Sequence, residues 1–402
     1  MMANVNMKVN VTSLSYGIIA SLLLLISNFF AFLFIAFNLK KVPLFFIAIF
    51  FSVLAYFFVP PESYDLYRHQ QFYDQFRYKS SVEVFAYTRD LYLIFSTALG
   101  NYLNLSSGFL SFISCFILYY YPLKIVNIER HKFYLNKYQI YTYVLLCVFL
   151  FPVIFYSGIR FPVGLSIFIY GLYCSSHGRY KIAYIYMLLA ALCHMSFWVV
   201  FIFFLVAKTL GGMPFQNRLG WGGVIFLFFV LGVNVKLIVN SITPLFDVIN
   251  SYFGYKFIVY ETYLSGGEYG FDATEGKSPL FVFSHYIHQT LFLLLCTLYV
   301  SSLKKWTPIS FLTLTMICLC MVGINLQTVF ERYSYVVIFS ILISNISNRL
   351  FMKGNALLNA IVGVLCLVAL LTTFTSFVMH SSYLLASYTK FYQISVLGMM
   401  IE

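Results

Sequence analysis

The chain has 402 residues, 61% of them hydrophobic and only 9% charged, with a formal net charge of +12. A water-soluble domain cannot enclose so apolar a composition, so the chain reads as a polytopic membrane protein. Its basic residues are scattered over short stretches between apolar runs, with no Lys/Arg cluster interleaved with aromatics, which argues against nucleic acid as a partner.

Apolar runs of bilayer length fall at about 13–37, 43–59, 107–122, 139–156, 160–174, 221–239, 280–302, 308–327, 330–347 and 356–379. The first is too long for a cleavable signal peptide and lacks a preceding basic flank, so it reads as a permanent span. Residues 90–103 are short and amphipathic, which suits an interfacial or re-entrant helix. The run 182–207 has His194 at its centre and fits either one long span or a helix broken near His194, the broken form agreeing better with the charge distribution. The eight cysteines mostly fall singly inside runs, without a C-x-x-C pair, and read as small apolar residues. The expected fold is therefore all-α: one integral membrane domain over residues 1–402, with about 10–12 transmembrane helices and some interfacial or re-entrant ones. Paired broken helices in matching halves, the mark of an inverted-repeat transporter, are not seen.

Charge sets the expected orientation. With the N-terminus outside and 182–207 entering and returning, the short inner loops hold Lys40, Lys41, Lys124, Arg130, Lys132, Lys137, Arg179, Lys181, Lys208, Lys304 and Lys305 among others. Every acidic residue except Glu129 then falls outside. Two larger outer loops result, at about 60–89 and 240–279, and the polar chemistry gathers on that outer face.

An ionisable side chain in hydrocarbon costs roughly 2.5–3.5 kcal/mol on insertion scales, which makes each one a functional candidate. Arg160 lies in the turn Tyr156-Ser157-Gly158-Ile159-Arg160-Phe161-Pro162, at a helix start, where its five donors match phosphate oxygens. Arg332 has the same setting in Phe330-Glu331-Arg332-Tyr333, with Glu331 as a possible neutralising neighbour. Together the two arginines can clamp a diphosphate without a metal. Asp65 and Asp90 border segments at the outer surface, and either carboxylate suits a general base for a sugar hydroxyl. His194, mid-run, is the third catalytic candidate. His285 and His288 share a helix face, but no third metal ligand follows by spacing, so they read as polar residues at the start of a span. No metal and no cofactor is expected.

The order and setting of these signatures resemble the polytopic polysaccharide polymerases of the EpsG/Wzy type. Tyr64-Asp65-Leu66-Tyr67-Arg68-His69 looks like that family's Asp/Tyr-rich outer loop, and Arg89-Asp90-Leu91-Tyr92 like the acidic-aromatic start of its next helix. Ser157-Gly158-Ile159-Arg160-Phe161 is similar to its arginine turn, Ala191-Leu192-Cys193-His194 to its mid-membrane histidine, and Glu331-Arg332-Tyr333 to a late Arg-Tyr element. Two departures stand out: Arg89-Asp90 replaces a Glu found in some members, and Phe161 replaces a Gln.

The resemblance implies a metal-independent glycosyltransferase with a multi-span, GT-C-like fold by analogy. It would join undecaprenyl-diphosphate-linked donor and acceptor oligosaccharides into O-antigen, capsule or exopolysaccharide. The setting it implies is the periplasmic face of a bacterial inner membrane, with a separate chain-length regulator as a further partner. Arg160 and Arg332 would hold the diphosphate, Asp65, Asp90 and His194 would supply the chemistry, and Tyr64, Arg68, Arg89 and Tyr333 would contact substrate. The competing readings are a transporter or flippase of the same lipid-linked sugars, and a membrane O-acyltransferase of surface sugars.

Overall fold

A computed structural model describes residues 11–379, apart from 63, 77, 81, 85–90, 134–136, 152–157, 211–217, 236, 238–240, 242–243, 245–277, 304–306 and 348–355. Every regular element among the described residues is a helix. Three helices are long and apolar enough to cross a membrane: Gly108–Arg130, Pro279–Ser302 and Val329–Ile346, of 23, 24 and 18 residues. At 1.5 Å per residue they reach about 27–36 Å, against a hydrocarbon core of about 30 Å. The other apolar helices are shorter within the described residues. The chain divides into two compact units, one comprising Met1–Cys174, Arg179–Trp198 and Ser376–Glu402, the other Ser175–Gly178 and Val199–Thr375.

The first unit opens differently from the expected single span. Helix α1 (Val11–Ile26) stops at Ser27, whose backbone is extended (φ −158°, ψ 116°), and α2 (Asn28–Phe37) starts again at once. The two helices fold against each other. Tyr16 stacks on Phe34 with ring centroids 5.8 Å apart, and Lys41 Nζ donates to the Tyr16 hydroxyl at 2.8 Å. The end of this hairpin thus lies level with its start. Cysteines placed at the exposed positions Ser15 and Lys40 are expected to react with a membrane-impermeant thiol reagent from the same side; labelling from opposite sides would restore the single span.

Helix α3 (Phe45–Tyr56) packs along α6 (Gly108–Phe133), with Phe51 on Tyr119 at 4.8 Å and Cys115 Sγ donating to the Phe51 carbonyl at 3.2 Å. Helix α6 runs well past the predicted limit of 122, and Lys124, Glu129 and Arg130 lie on it rather than in a loop. Each is accommodated by its surroundings. Lys124 sits over the Tyr170 ring at 4.7 Å and the Tyr120 ring at 5.4 Å. The Tyr173 hydroxyl donates to Glu129 Oε1 at 2.6 Å, and Arg130 donates to Asn127 Oδ1 at 2.7 Å and to the Lys40 carbonyl at 3.3 Å.

The expected outer loop 60–89 is partly helical: α4 (Asp65–Phe76) is amphipathic, with Leu66, Tyr73 and Phe76 buried. Helix α5 (Leu91–Tyr102) matches the predicted short element at 90–103 and buries its Tyr92, Leu93, Ser96 and Thr97 face. These two helices and α6 are joined by hydrogen bonds. Tyr73 donates to the Leu105 carbonyl at 2.7 Å, Asn101 to the Phe76 carbonyl at 2.7 Å, and the Tyr92 and Ser114 hydroxyls lie 2.6 Å apart. The unit continues through α7 (Lys137–Phe149), α8 (Arg160–Ser176), α9 (Tyr180–Cys193) and the first residues of α10 (Ser196–Leu210). Helix α8 is buried all round from Phe161 to Ser175, as its uniformly apolar sequence requires. The predicted break in 182–207 occurs at His194, where the backbone is extended (φ −157°, ψ 131°).

The second unit holds the rest of α10, then α11 (Arg218–Val233), α12 (Pro279–Ser302), α13 (Pro308–Val322), α14 (Gln327–Ser347) and most of α15 (Ala356–Met379). Helices α12 and α13 each begin with proline at the first position. Ser278 caps α12 by accepting from Phe281 N at 3.3 Å, and Thr307 caps α13 by accepting from Ser310 N at 3.1 Å. Helix α13 packs on α11 and α14, and α12 packs on both of those. Of the expected outer loop 240–279, residues 245–277 lie outside the described residues. Large apolar side chains stand exposed on both units, Phe30 and Phe37 on α2, Phe226 on α11 and Leu370 on α15 among them. Such a surface suits acyl chains and not water.

Candidate functional site

The first unit brings three of the sequence signatures together. Asp65 opens α4, where a carboxylate is favoured by the helix dipole, and it pairs with Arg68 one turn on. Tyr64 precedes the helix, and its carbonyl accepts from Tyr67 N at 3.1 Å. His69 follows Asp65 by four residues. It falls on the stripe Leu66, His69, Tyr73, Phe76, whose three other members are buried apolar or aromatic side chains. Its Nε2 is buried and has no hydrogen-bond partner among the described residues. Burial first and then the charge of Arg160 push its pKa down from 6.5 to about 4, Arg68 adding to the effect and Asp65 opposing it. The imidazole is therefore neutral at physiological pH, and the Arg160 guanidinium acts on it from the start of α8.

Arg160 is the first residue of α8, as expected at a helix start, and it is half-buried. A cation there opposes the helix dipole by about 0.3–1 kcal/mol, so local helix energetics do not favour it. The same helix start puts free backbone N–H groups and an arginine in one turn, a combination of groups that favours anions. Residues 152–157 of the turn lie outside the described residues.

His194 is held beside this helix start. Its ring meets Phe161 edge-on at 5.6 Å, and Phe161 stacks on Phe197 at 5.3 Å. Gly164 permits the approach, since a Cβ there would lie 2.8 Å from the Phe197 ring and 3.2 Å from the Ala190 carbonyl oxygen. His194 Nδ1 accepts from Ser196 N–H at 3.2 Å and so caps α10. The proton of the neutral ring is then on Nε2, which presents a donor. In this arrangement His194 presents its Nε2–H as a donor.

Of the remaining candidates in this unit, Arg89 and Asp90 lie outside the described residues. Arg332 and Tyr333 belong to the second unit, where both are half-buried on α14. Arg160 and Arg332 therefore stand in different units, and the two-arginine clamp remains an expectation of the sequence.

Glu331, the neighbour of Arg332, has its Oε1 3.9 Å from His285 Nδ1. Partners fix the histidine tautomers here. Gln289 Nε2 donates to the Ile324 carbonyl at 2.8 Å and lies 2.9 Å from His285 Nε2. Because a carbonyl only accepts, that atom of Gln289 is nitrogen, and His285 Nε2 is an acceptor. The His285 proton is then on Nδ1, facing Glu331. Ser334 donates to the Glu331 carbonyl at 2.9 Å, so His288 Nε2, 3.3 Å from the Ser334 hydroxyl, is the donor of that pair. The two histidines thus serve as braces between α12 and α14. Among the described residues no three His, Cys, Asp or Glu side chains converge as metal ligands.

His69 is the residue that sequence reasoning passed over. Its signal was available: a histidine at a core position of an otherwise apolar 66/69/73/76 stripe. No family model, no curated protein and no solved structure matches this chain.

Proposed function

We propose that the chain is a multi-pass glycosyltransferase that polymerises undecaprenyl-diphosphate-linked oligosaccharides at the periplasmic face of a bacterial inner membrane. One observation carries the reading: within the first unit the Arg160 guanidinium acts electrostatically on His69 of the Asp65-to-His69 helix, far away in sequence. A lipid-linked donor accounts for a polar cluster in so apolar a chain, with 10–12 spans in a GT-C-like arrangement. Arg160 takes the diphosphate oxygens, helped electrostatically by the α8 N-terminus. The acceptor hydroxyl oxygen bonds to the donor's anomeric carbon, and its proton passes to a carboxylate, for which Asp65 is the described candidate. The anomeric carbon–oxygen bond to the diphosphate breaks, and the leaving group departs with that electron pair. Tyr64 and Arg68 contact the sugar in this reading; the roles of Arg89, Arg332 and Tyr333 are those that the sequence resemblance implies. The O-acyltransferase alternative calls for a histidine oriented by a carboxylate, whereas His194 Nδ1 accepts from a backbone N–H.

The test is surface polysaccharide from a deletion strain carrying the wild-type gene or an empty vector, resolved on a gel. A ladder with the gene and single repeat units without it is the expected outcome. A normal ladder in the deletion strain, or loss of all surface sugar without a single-unit species, would move transport or acyl transfer ahead.

A further inference from the structure

We infer that His69 Nε2 is the binding partner of a sugar hydroxyl, making His69 a specificity-determining residue of the α4–α8 site. This inference rests on the glycosyltransferase reading above and names what one position of that site recognises.

The argument starts from cost. A buried polar atom without a partner loses its hydration and gains nothing in return, a penalty that folded proteins rarely carry outside functional sites. His69 Nε2 is such an atom, on the buried face of α4, where leucine or phenylalanine would pack without that penalty. The helix does not need it for stability: Leu66, Tyr73 and Phe76 supply the packing, and Gln70 and Tyr73 tie α4 to Ser111 and to the Leu105 carbonyl. What the imidazole adds is one hydrogen-bonding atom, kept uncharged beside a fixed cation.

Chemistry then selects the ligand group. A phosphate oxygen only accepts and is served by Arg160. An ammonium would meet the repulsion of Arg68 and Arg160. A hydroxyl both donates and accepts, so it satisfies Nε2 in either tautomer of a neutral ring and adds no charge beside Arg160. Asp65, one turn back on α4, is close enough in sequence register to share the same sugar. The cluster thus divides its tasks, with phosphate at Arg160 and a ring hydroxyl at His69.

The full-length protein is tested as His69→Leu and His69→Gln, with two readouts: ladder length in the deletion strain, and thermal stability of the purified chain in detergent. Leucine fills the apolar position and removes the orphaned atom, so His69→Leu should melt at or about 2–4 °C above wild type while polymer falls at least about tenfold. Glutamine reaches the same point with an amide, and His69→Gln should keep clearly more polymer than His69→Leu. A purely structural histidine gives the opposite pattern, a lowered melting point in His69→Leu that tracks the polymer loss. Wild-type polymer in His69→Leu would overturn the inference and leave the polymerase reading intact. If the wild-type gene restores no ladder, both fall together.

Discussion

Arg160→Ala is expected to collapse the polysaccharide ladder to single repeat units while the protein accumulates normally. The expected loss is about 10²–10³-fold in turnover, the range for removing one preorganised electrostatic contact to a developing negative charge. The fold should tolerate the change, because a cation in the first turn of α8 works against the helix dipole. The anchoring of that turn comes from Ile159 and Phe161, which are buried and stay in place. Arg160→Lys separates charge from geometry: an ammonium keeps the charge and loses the two-pronged fork, so intermediate polymer is expected. The substitution to alanine has a second consequence that needs no turnover. It removes the larger of the two cationic influences holding His69 unprotonated, so the His69 pKa should move up from about 4 toward 6.5, by an amount limited by the burial that remains. A titration of His69 that does not respond would separate the two residues, and full polymer in Arg160→Ala would remove the diphosphate role.

Gly232→Ala is expected to destroy the second unit's packing. A Cβ at Gly232 would lie 1.8 Å from the Met321 carbonyl oxygen and 2.8 Å from its carbon, both backbone atoms that cannot rotate aside. Helices α11 and α13 would have to part, breaking the bonds from Asn325 Nδ2 to the Gly232 and Val233 carbonyls at 3.4 and 3.2 Å. Overpacking of this kind costs about 1–3 kcal/mol or more, a large part of the stability of one domain. The controls lie on the same helix: Gly222→Ala and Gly223→Ala meet nothing within 4 Å and should behave as wild type. Detergent melting curves and steady-state protein levels measure this directly. Equal stability of the Gly232 and Gly222 variants would mean that α11 and α13 are not in this contact.

Much of the architecture was readable from residues alone, and the parts that were not have identifiable causes. The interruption at His194 was legible because an ionisable side chain amid apolar ones is expensive in hydrocarbon, and the backbone bends where it has a polar partner. The short helix Leu91–Tyr102 was legible from its length and mixed faces. Ser27 was not: the Ser27-Asn28 pair is a weak breaker inside an apolar run of 13–37, and the folded-back arrangement is fixed by a tertiary contact, the stacking of Tyr16 on Phe34. Helix α4 was hidden by its polarity, which reads as loop until the 66/69/73/76 stripe is counted. Lys124 and Glu129 marked a false helix end, because a run of apolar residues does not reveal that Tyr170 and Tyr173 come back to receive them. The bond pattern at Gln289 was out of reach for the same reason, since the Ile324 carbonyl that fixes it belongs to the turn before α14.

The α1–α2 hairpin alters how the whole chain is counted across the bilayer. An element whose two ends stand level contributes an even number of crossings, so everything preceding α3 drops out of the parity sum. Lys40 and Lys41, the first basic pair after the hairpin, then become the reference from which inside and outside alternate. Taking that pair as the inner reference changes the side expected for α1, whereas the sides expected for α4 and Arg160 stay as the sequence has them. The ten residues of α2 extend about 15 Å, so the tip at Ser27 reaches only about halfway through a 30 Å core. A hairpin of that depth is too short to cross such a core, so it adds no crossing to the count.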